Sequence, residues 1–282
     1  MGMARHIGSI AIIAWLLVGG MSQALAQVVA FVTDLQGRAT ISRAGGQAPV
    51  AILAEIPAGA RIQLEPGARL NALYATSGEQ YSAQGPGTVV FESTHPAALD
   101  TAVIERRPAA ASQPVRLKAT GLAQGGMVMR GMGLRPLGPS GTILQVTPVF
   151  AWGDTRQSSR YRFTLVDSTT TVVHREETAE RTLRLPAGVT LKPGTSYRWE
   201  VSALSGEALV QTVQTLFRVA SEALAAQAES LRPPTNRASF ADRVAYAMWL
   251  EQEDLGAEAR RWWRELAAER PDQTTLKTKA GP

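Results

Sequence analysis

The sequence predicts a mainly β protein with two small β modules followed by an α-helical hairpin. Two observations predict the β modules. Apolar and polar residues alternate in short segments over residues 28–105 and 145–220, and Gly- or Pro-containing turns separate these segments. The third observation is a change of period, because from Ser221 onward apolar residues recur every three to four positions, as in amphipathic helices.

The first 26 residues have the three parts of a secretory signal peptide. Arg5 and His6 form a basic head, an apolar core follows with its densest run over residues 10–18, and Ala24-Leu25-Ala26 matches a small-x-small cleavage pattern. This core is shorter than the about 20 residues of a transmembrane helix. We therefore expect a mature chain that starts at Gln27 and works in the periplasm, with no integral membrane segment after cleavage.

Composition excludes several classes of function. The chain has no cysteine, which excludes a thiol nucleophile, a Cys-ligated zinc, an iron–sulfur cluster and an N-terminal lipoprotein anchor. Its net charge of +5 is mild. No block of five or more Lys and Arg residues occurs, so the sequence predicts no nucleic-acid binding.

Residues 27–107 are expected to form a small β domain. Alternation in residues 37–43, 60–64 and 68–74 predicts strands with one buried and one solvated face. The order "DLQGRATISRAGG", then Pro49-Val50, then "IPAGARIQLEPGARLNALYATSGEQYSAQGPGTVVF" resembles the FecR-type periplasmic domain, and a generic small β domain is the alternative. The glycines that occupy the turn positions of that family are Gly37, Gly59, Gly67, Gly78 and Gly85.

The resemblance to FecR-type domains implies a part in cell-surface signalling to extracytoplasmic-function sigma factors. This chain has a cleavable leader where that family has a cytoplasmic anti-sigma segment and a transmembrane helix. We therefore expect a sensory or assembly role for the isolated periplasmic domain rather than direct control of a sigma factor.

Residues 108–141 are rich in Gly, Met and Pro and are expected to form a linker. Met127, Met129 and Met132 lie in it. Thioether sulfurs can bind copper, whereas a linker segment that packs on a neighbouring domain is the alternative interpretation. Since neither His nor Cys accompanies these methionines, we expect no bound metal or cofactor.

Residues 142–220 contain the clearest β module. The pattern P-x-F-x-W, then Y-x-F-x-L, then L-x-P-G-x-x-Y-x-W-x-V resembles a fibronectin-III or immunoglobulin-like sandwich. Trp152 and Trp199 are expected to fill the gap of about 10 Å between its two sheets. Leu191 and Tyr197 flank a Pro-Gly turn, as in the tyrosine corner of such sandwiches, so Tyr197 is expected to pack and to form a hydrogen bond.

Residues 221–272 are expected to form a helical hairpin region. Ser221 and Ser239 are predicted N-caps, and Pro233-Pro234 is expected to end the first helix. The two later helices resemble one tetratricopeptide-type hairpin, which cannot bury both of its faces alone and must dock on the sandwich, on a second copy or on a partner. Residues 273–282 are polar and are expected to be disordered. The matching positions are Ala247, Leu250, Gly256, Ala259, Trp262, Leu266 and Pro271.

Known catalytic patterns are absent from the sequence. After the leader, the histidines are His95 and His174, and neither has a second histidine four residues away. No G-x-S-x-G or S-x-x-K motif occurs, and "GGMVMRGMG" lacks the Lys-Ser/Thr of a phosphate loop. We therefore expect a non-enzymatic protein, with a hydrolase of unrecognised site as a less favoured hypothesis.

Aromatic and basic side chains are the remaining candidates for binding. The run Arg260-Arg261-Trp262-Trp263-Arg264 mixes cations and aromatics, and two adjacent Trp residues cannot both point inward on one small hairpin. We therefore expect Trp262 or Trp263, with Arg260 and Arg264, to contact a protein partner. Tyr74 and Tyr81 are the candidates for stacking in the alternative function, a carbohydrate- or peptidoglycan-binding module. The favoured function is an envelope scaffold or sensory component.

Overall fold

The computed structural model describes residues 27–43, 46–107, 133–234 and 238–281. The predicted signal peptide, residues 1–26, lies outside these ranges, as does most of the predicted linker with Met127, Met129 and Met132. Within the described ranges the chain is mainly β, with helices at its C-terminal end, which confirms the predicted fold class.

The first β module contains ten strands that pair antiparallel in two five-stranded sheets. The strands are β1 (Val28–Gln36), β2 (Ala39–Arg43), β3 (Gly46–Pro49), β4 (Glu55–Pro57), β5 (Arg61–Leu64), β6 (Arg69–Tyr74), β7 (Gln80–Gln84), β8 (Gly87–Phe91), β9 (Pro96–Ala98) and β10 (Val103–Arg107). The strand order is β10-β7-β6-β1-β4 in the first sheet, here sheet A, and β3-β2-β5-β8-β9 in the second, sheet B.

Sheets A and B face each other around an apolar core. Alternation in β6 sends Leu70 and Ala72 into this core, while Asn71 and Leu73 lie on the opposite, outer face of sheet A. Strand β1 is buried along almost its whole length. Such continuous burial is expected for a strand that is covered on both faces, so sheet A must carry a second layer.

The second β module is a fibronectin-III/immunoglobulin-like sandwich of eight described strands. They are β11 (Leu134–Gly138), β12 (Gly141–Ile143), β13 (Val149–Asp154), β14 (Arg160–Asp167), β15 (Val172–Thr178), β16 (Thr182–Arg184), β17 (Ser196–Ser205) and β18 (Ala208–Val219). One sheet has the order β11-β13-β16 and the other has the order β12-β18-β17-β14-β15.

The end of the predicted linker belongs to this sandwich, so the predicted boundary at residue 142 is wrong. Strand β11 pairs with β13 and buries Leu134. The carbonyl of Pro139 accepts a hydrogen bond of 2.8 Å from the Trp199 indole N–H. A Gly- and Pro-rich segment is ordered here because its backbone and its one buried leucine have partners in the sandwich.

Aromatic side chains fill the space between the two sheets, as the sequence predicts. Trp152 and Trp199 are 1% and 0% exposed, and their rings lie 6.5 Å apart. The tyrosine corner is also confirmed, because the Tyr197 hydroxyl accepts a hydrogen bond of 2.8 Å from the Lys192 backbone N–H. The core of this module is therefore built from side chains whose positions the strand alternation determines.

Four helices follow the sandwich. They are α1 (Glu222–Leu231), α2 (Phe240–Gln252), α3 (Gly256–Glu269) and α4 (Thr274–Ala280). The predicted N-caps are confirmed: Ser221 accepts from the Leu224 N–H, and Ser239 forms a capping box with Asp242. Proline at 233 and 234 follows the end of α1.

The prediction of a disordered tail after residue 272 is wrong. Residues 274–280 form α4, in which Leu276 is fully buried. The Lys279 ammonium lies 2.7 Å from a Glu251 carboxylate oxygen, and the Thr275 hydroxyl donates to the Ile52 carbonyl at 3.1 Å. A single buried leucine and two polar contacts hold a segment whose composition alone is typical of disorder.

The helices form the second layer on sheet A. Phe31, Ile52 and Leu73 share an apolar cluster with residues of all four helices, including Trp263 and Leu276. The hairpin of α2 and α3 thus docks on the first β module of its own chain, a surface that was not among its predicted docking sites.

The sandwich is attached to the same helical layer. In β12 and the residue after it, Ile143 lies in the sandwich core while Leu144 packs against the cluster formed by the helices and sheet A. The Gln145 side chain donates to Glu258 of α3 at 2.6 Å, and the Thr142 N–H reaches the Asp254 carbonyl at 3.4 Å. The side chains of Ile143 and Leu144 therefore point into two different apolar cores, and this attaches the sandwich to the helical layer.

Candidate functional site

A polar cleft of about 520 Å³ lies between the outer face of sheet A and the helices. Its floor comes from β1, β6, β7 and β10, and its walls come from the start of α2 and the end of α3. Four arginines and three carboxylates line it, so both signs of charge are present. The charged lining residues are Asp34, Arg69, Glu105, Arg107, Arg243, Glu269 and Arg270.

The floor contains one continuous row of polar side chains. Cross-strand pairing places Asp34 opposite Asn71, Asn71 opposite Ser82, and Ser82 opposite Glu105. Directly opposite residues on one sheet face have their Cβ atoms about 5 Å apart. A partner that lies across the strands would therefore meet a carboxylate, an amide, a hydroxyl and a second carboxylate in succession.

The row next to it adds a cation and two amides. Gln36 pairs with Arg69, and Arg69 pairs with Gln84 on the far side. Within the described residues, neither Arg69 nor Glu105 forms an ion pair, although both line the cleft. As far as the described part of the chain shows, the floor therefore presents the Arg69 guanidinium and the Glu105 carboxylate without an ion-pair partner.

The walls are held by polar contacts that link the sheet to the helices and helix α2 to helix α3. Arg270 of the α3 C-cap lies 3.4 Å from the Asp34 carboxylate, and Arg243 of α2 lies 2.6 Å from Glu269. Arg107 of β10 donates to the Ser239 hydroxyl at 3.0 Å. These contacts fix the mouth of the cleft, because each joins two different elements.

Two buried polar atoms in the lining residues have no hydrogen-bond partner among the residues that the structure describes. They are the Asn71 side-chain oxygen and the Arg243 Nε. Asn71 is only 7% exposed. An unsatisfied buried donor or acceptor costs about 1–3 kcal/mol, so a group that enters the cleft and pairs with these two atoms would relieve that cost.

Phe240 is the aromatic residue of the cleft lining, and it is 7% exposed. The guanidinium of Arg270 lies 4.9 Å from the centre of its ring, and that of Arg243 lies 5.6 Å away. The ring thus positions two cations of the wall and leaves little free surface for stacking on a ligand.

The predicted partner-binding residues of α3 do not lie in the cleft. Arg260 and Arg264 are exposed. Trp262 is half-buried, with its ring edge-on to Tyr246 at 5.2 Å. Trp263 is fully buried, and its indole N–H donates to Glu251 at 3.0 Å. One of the two tryptophans was expected to face outward: Trp263 is excluded from that role, because the docked sheet and α4 enclose it, and Trp262 is the more accessible of the two.

The predicted stacking residues are also unsuited to that role. Tyr74 is fully buried, and its hydroxyl donates to the Glu92 carbonyl at 3.1 Å. Burial, together with the neighbouring Tyr81 and Glu92, raises the pKa of Tyr74 above its ordinary value. Tyr81 is half-buried, and its hydroxyl donates to Glu79 at 2.8 Å. Burial and this hydrogen bond raise the pKa of Tyr81.

The described parts of the chain contain neither a candidate metal site nor a candidate membrane-spanning helix. No group of three or more His, Cys, Asp or Glu residues there could hold a metal ion. No helix among residues 27–281, gaps aside, is long and apolar enough to cross a bilayer.

Sequence reasoning missed the cleft because its residues are outward-facing polar positions of ordinary strands. From the sequence, Asn71 in "RLNALY" and Ser82 in "QYSAQ" are expected to face solvent. In the structure the helices that pack on sheet A cover them. One available signal was the apolar run at the start of β1, which is typical of a strand buried on both faces.

Comparisons with known proteins concern the fold. No protein-family model and no curated protein matches this sequence. A solved structure described as FN3tt is 20% identical over 30% of this chain and 91% of its own, with a TM-score of 0.25. The chicken CNTN1 FN1-FN3 domains are 13% identical over 65% of this chain and 54% of theirs, with a TM-score of 0.23.

A third solved structure with a similar region is an enzyme. A beta-1,2-glucanase from Parabacteroides distasonis is 11% identical over 73% of this chain and 39% of its own, with a TM-score of 0.22.

Proposed function

We propose that this protein is an exported, non-enzymatic binding protein of the bacterial periplasm that holds a polar segment of a partner protein in the cleft. The observation that carries the proposal is the polar floor of sheet A, which the helices wall in but do not fill. In this role the protein acts as a scaffold or as a sensory component of the envelope.

The chemistry of the cleft favours a peptide over a glycan. An extended peptide carries backbone donors and acceptors and side chains of both charge signs, which match Arg69, Glu105 and the amides beside them. Sugar recognition commonly adds stacking on an exposed aromatic ring. The one aromatic residue among the described lining residues, Phe240, is already covered by two arginines.

We also propose that the first β module is a FecR-like periplasmic domain. Gly37 supports this interpretation, because it has a φ of +79° in the turn between β1 and β2, and a Cβ there would lie 3.0 Å from the Ala68 Cα. Gly67 has a φ of +77° between β5 and β6. Left-handed backbone at turn positions of the family's pattern explains why glycine is needed there.

The hairpin of α2 and α3 is proposed to be tetratricopeptide-like. Ala247, Ala259 and Leu266, three of the positions that carry the resemblance, are buried in the cluster that the hairpin shares with sheet A. A single hairpin needs a surface to cover its second face, and sheet A is that surface here. The hairpin thus acts as a wall of the cleft rather than as a repeat array.

The test is site-specific photo-crosslinking in cells. A photoreactive residue replaces Gln84, which lies on the cleft floor, and the matched control replaces Gln63, which is exposed on sheet B. We expect a defined protein adduct from position 84 and none from position 63. The adduct should disappear when Arg69→Glu is added to the position 84 variant, because this change reverses the one unpaired cation of the floor.

Four outcomes would overturn parts of the proposal. Adducts that contain only glycan would assign the cleft to the carbohydrate- or peptidoglycan-binding alternative. Equal adducts from positions 84 and 63, or adducts that ignore Arg69→Glu, would remove the cleft from the function. Recovery of the chain from the cytoplasm with residues 1–26 attached would remove the periplasmic assignment.

A further inference from the structure

The cleft over sheet A becomes more buried along β6. The residues of β6 that face the cleft and the helices are Arg69, Asn71 and Leu73, two positions apart. Arg69 is exposed, Asn71 is 7% exposed, and Leu73 is covered by the helices. A ligand therefore enters over the row of Arg69, here the entry row, and reaches inward as far as the row of Asn71, here the inner row.

The inner row is rich in buried oxygen atoms. Asp34, Asn71 and Ser82 of this row are 4%, 7% and 6% exposed. The Asn71 side-chain oxygen has no hydrogen-bond partner among the described residues. The Asp34 carboxylate is contacted by Arg270 and by the Gln36 side-chain amide, each at 3.4 Å. Because charge-assisted hydrogen bonds are usually about 2.7–2.9 Å long, this buried carboxylate also has room for a better donor.

The inner row keeps a negative charge that the walls do not neutralise. Glu105 ends the row on β10, is exposed, and forms no ion pair within the part of the chain that the structure describes. The wall arginines are engaged elsewhere, since Arg243 lies 2.6 Å from Glu269 and Arg107 lies 3.7 Å from Asp242. The row therefore favours a cation with several hydrogen-bond donors.

We propose that the cleft receives one basic side chain, a lysine or an arginine, from the segment of the partner protein. This inference rests on the proposed function and names the chemistry that the cleft selects. The backbone of the segment lies over the entry row, and the cationic head reaches the inner row. There it donates to the Asn71 oxygen, between the carboxylates of Asp34 and Glu105. An ammonium or a guanidinium has only donors, which suits a row of oxygen atoms.

The distance between the two rows selects a long side chain. Positions two residues apart on one strand face are separated by about 7 Å. The four-carbon stem of lysine or the longer side chain of arginine covers such a distance, whereas a side chain of the size of serine or asparagine does not. Long basic side chains also lay their stems along apolar surface, and Ala238 supplies such surface in the cleft lining.

Arg69 has a separate role at the entry row. Its guanidinium lines the cleft and forms no ion pair with any described residue. It is therefore free to pair with a carboxylate or a backbone carbonyl of the same segment. Opposite charges on the two rows then orient the segment, with its basic side chain directed inward and an acceptor left beside Arg69.

The test uses a phage-displayed library of random nine-residue peptides. It is selected on the chain from Gln27 to Pro282, which contains every described element. We expect the selected peptides to share one Lys or Arg at a fixed position. Selection on Glu105→Lys should not recover these peptides, because the inner row then repels the cation. Glu105 is exposed, so this substitution leaves the apolar cores unchanged.

Fluorescence anisotropy with one selected peptide measures the contribution of the charge. Replacing its basic residue by norleucine keeps an unbranched stem, removes the cation, and should weaken binding at least tenfold. Glu105→Gln should weaken binding severalfold, and Asn71→Leu should weaken it further. Glu207→Gln is the matched control, because it removes an exposed carboxylate between β17 and β18, and it should leave binding unchanged. Circular dichroism checks that each variant is folded.

Two results would overturn this inference and leave the proposed function in place. One is a set of peptides that lose binding in Arg69→Glu but share no basic residue. The other is a shared basic residue whose replacement by norleucine leaves the affinity unchanged. A selection without any peptide that depends on Arg69 or Glu105 would also overturn it. The crosslink from position 84 then separates the two proposals, because its absence as well would remove the proposed function.

Discussion

The outer face of sheet A is dry at one end and polar at the other. At the dry end, Phe31, Ile52 and Leu73 pack under the helices together with Trp263. At the polar end, Asp34 and its row of neighbours line the cleft under the same two helices, α2 and α3. The interface between sheet A and the helices therefore has two parts. Its apolar half holds the helices on the sheet, and its polar half forms the open cleft.

The largest effect is expected at the centre of the dry end. Trp263→Ala should lower the free energy of unfolding by about 3–5 kcal/mol, because the ring is fully buried and the cavity cannot collapse. Trp262→Ala should cost clearly less, since that ring is half-buried. Urea unfolding followed by circular dichroism measures both. Equal losses in the two variants would contradict the assignment of Trp263 to the core.

The second effect tests whether the dry end holds the helices on the sheet. Leu73→Ala should cost about 2–4 kcal/mol, because it removes a buried side chain from the sheet's side of the cluster. Hydrogen exchange should show faster exchange in α2, α3 and α4, while the sandwich amides keep their protection. Loss of protection spread evenly over both β modules would argue against a helical layer anchored at this end.

Much of this fold is predictable from local sequence patterns. Trp152, Trp199 and the Tyr197 corner follow from strand alternation and from a Pro-Gly turn, which are local signals. The docking of the helices is not predictable in this way, because an apolar helix face does not specify its partner surface. In the polar tail only Leu276 and Ala280 are apolar and buried, and two positions are too few to give a periodic signal for the helix.

The cleft could not be predicted from the sequence either, because it also depends on how the helices pack on sheet A. Asn71 and Ser82 stand where an exposed strand would carry polar residues, and only the tertiary arrangement makes Asn71 buried. The aromatic candidates, Tyr74 and Trp263, were misassigned because large aromatic side chains serve cores as readily as binding surfaces.

The sandwich contains a carboxylate with several hydrogen-bond donors, which contrasts with the buried polar atoms of the cleft that lack described partners. Asp154 accepts from the Arg156 and Ser158 N–H groups, both at 2.9 Å, and from the Tyr161 hydroxyl at 3.0 Å. Burial disfavours the charged carboxylate, but the hydrogen bonds from Ser158, Arg156 and Tyr161 outweigh burial and lower its pKa to about 2.

This carboxylate should make the sandwich sensitive to acid. Because the pKa is lower in the folded state than in the unfolded chain, the stabilisation of about 2 kcal/mol is complete above about pH 4 and is lost as the pH falls toward 2. Urea midpoints of the wild type and of Asp154→Asn should therefore differ at pH 6 and converge near pH 2. A difference that is constant with pH would contradict the role of this carboxylate.

The smallest effect on the free energy of unfolding is expected for a substitution at the polar end of sheet A. Its size tests whether the two ends of this face differ in what they contribute to stability. Asn71→Ala removes a buried oxygen that has no partner, so the lost side-chain packing is offset by relief of its desolvation cost. We expect a change of no more than about 1 kcal/mol, together with loss of the crosslink from position 84. A loss comparable to that of Leu73→Ala would mean that Asn71 supports the fold, and the two ends of sheet A would then share one structural task.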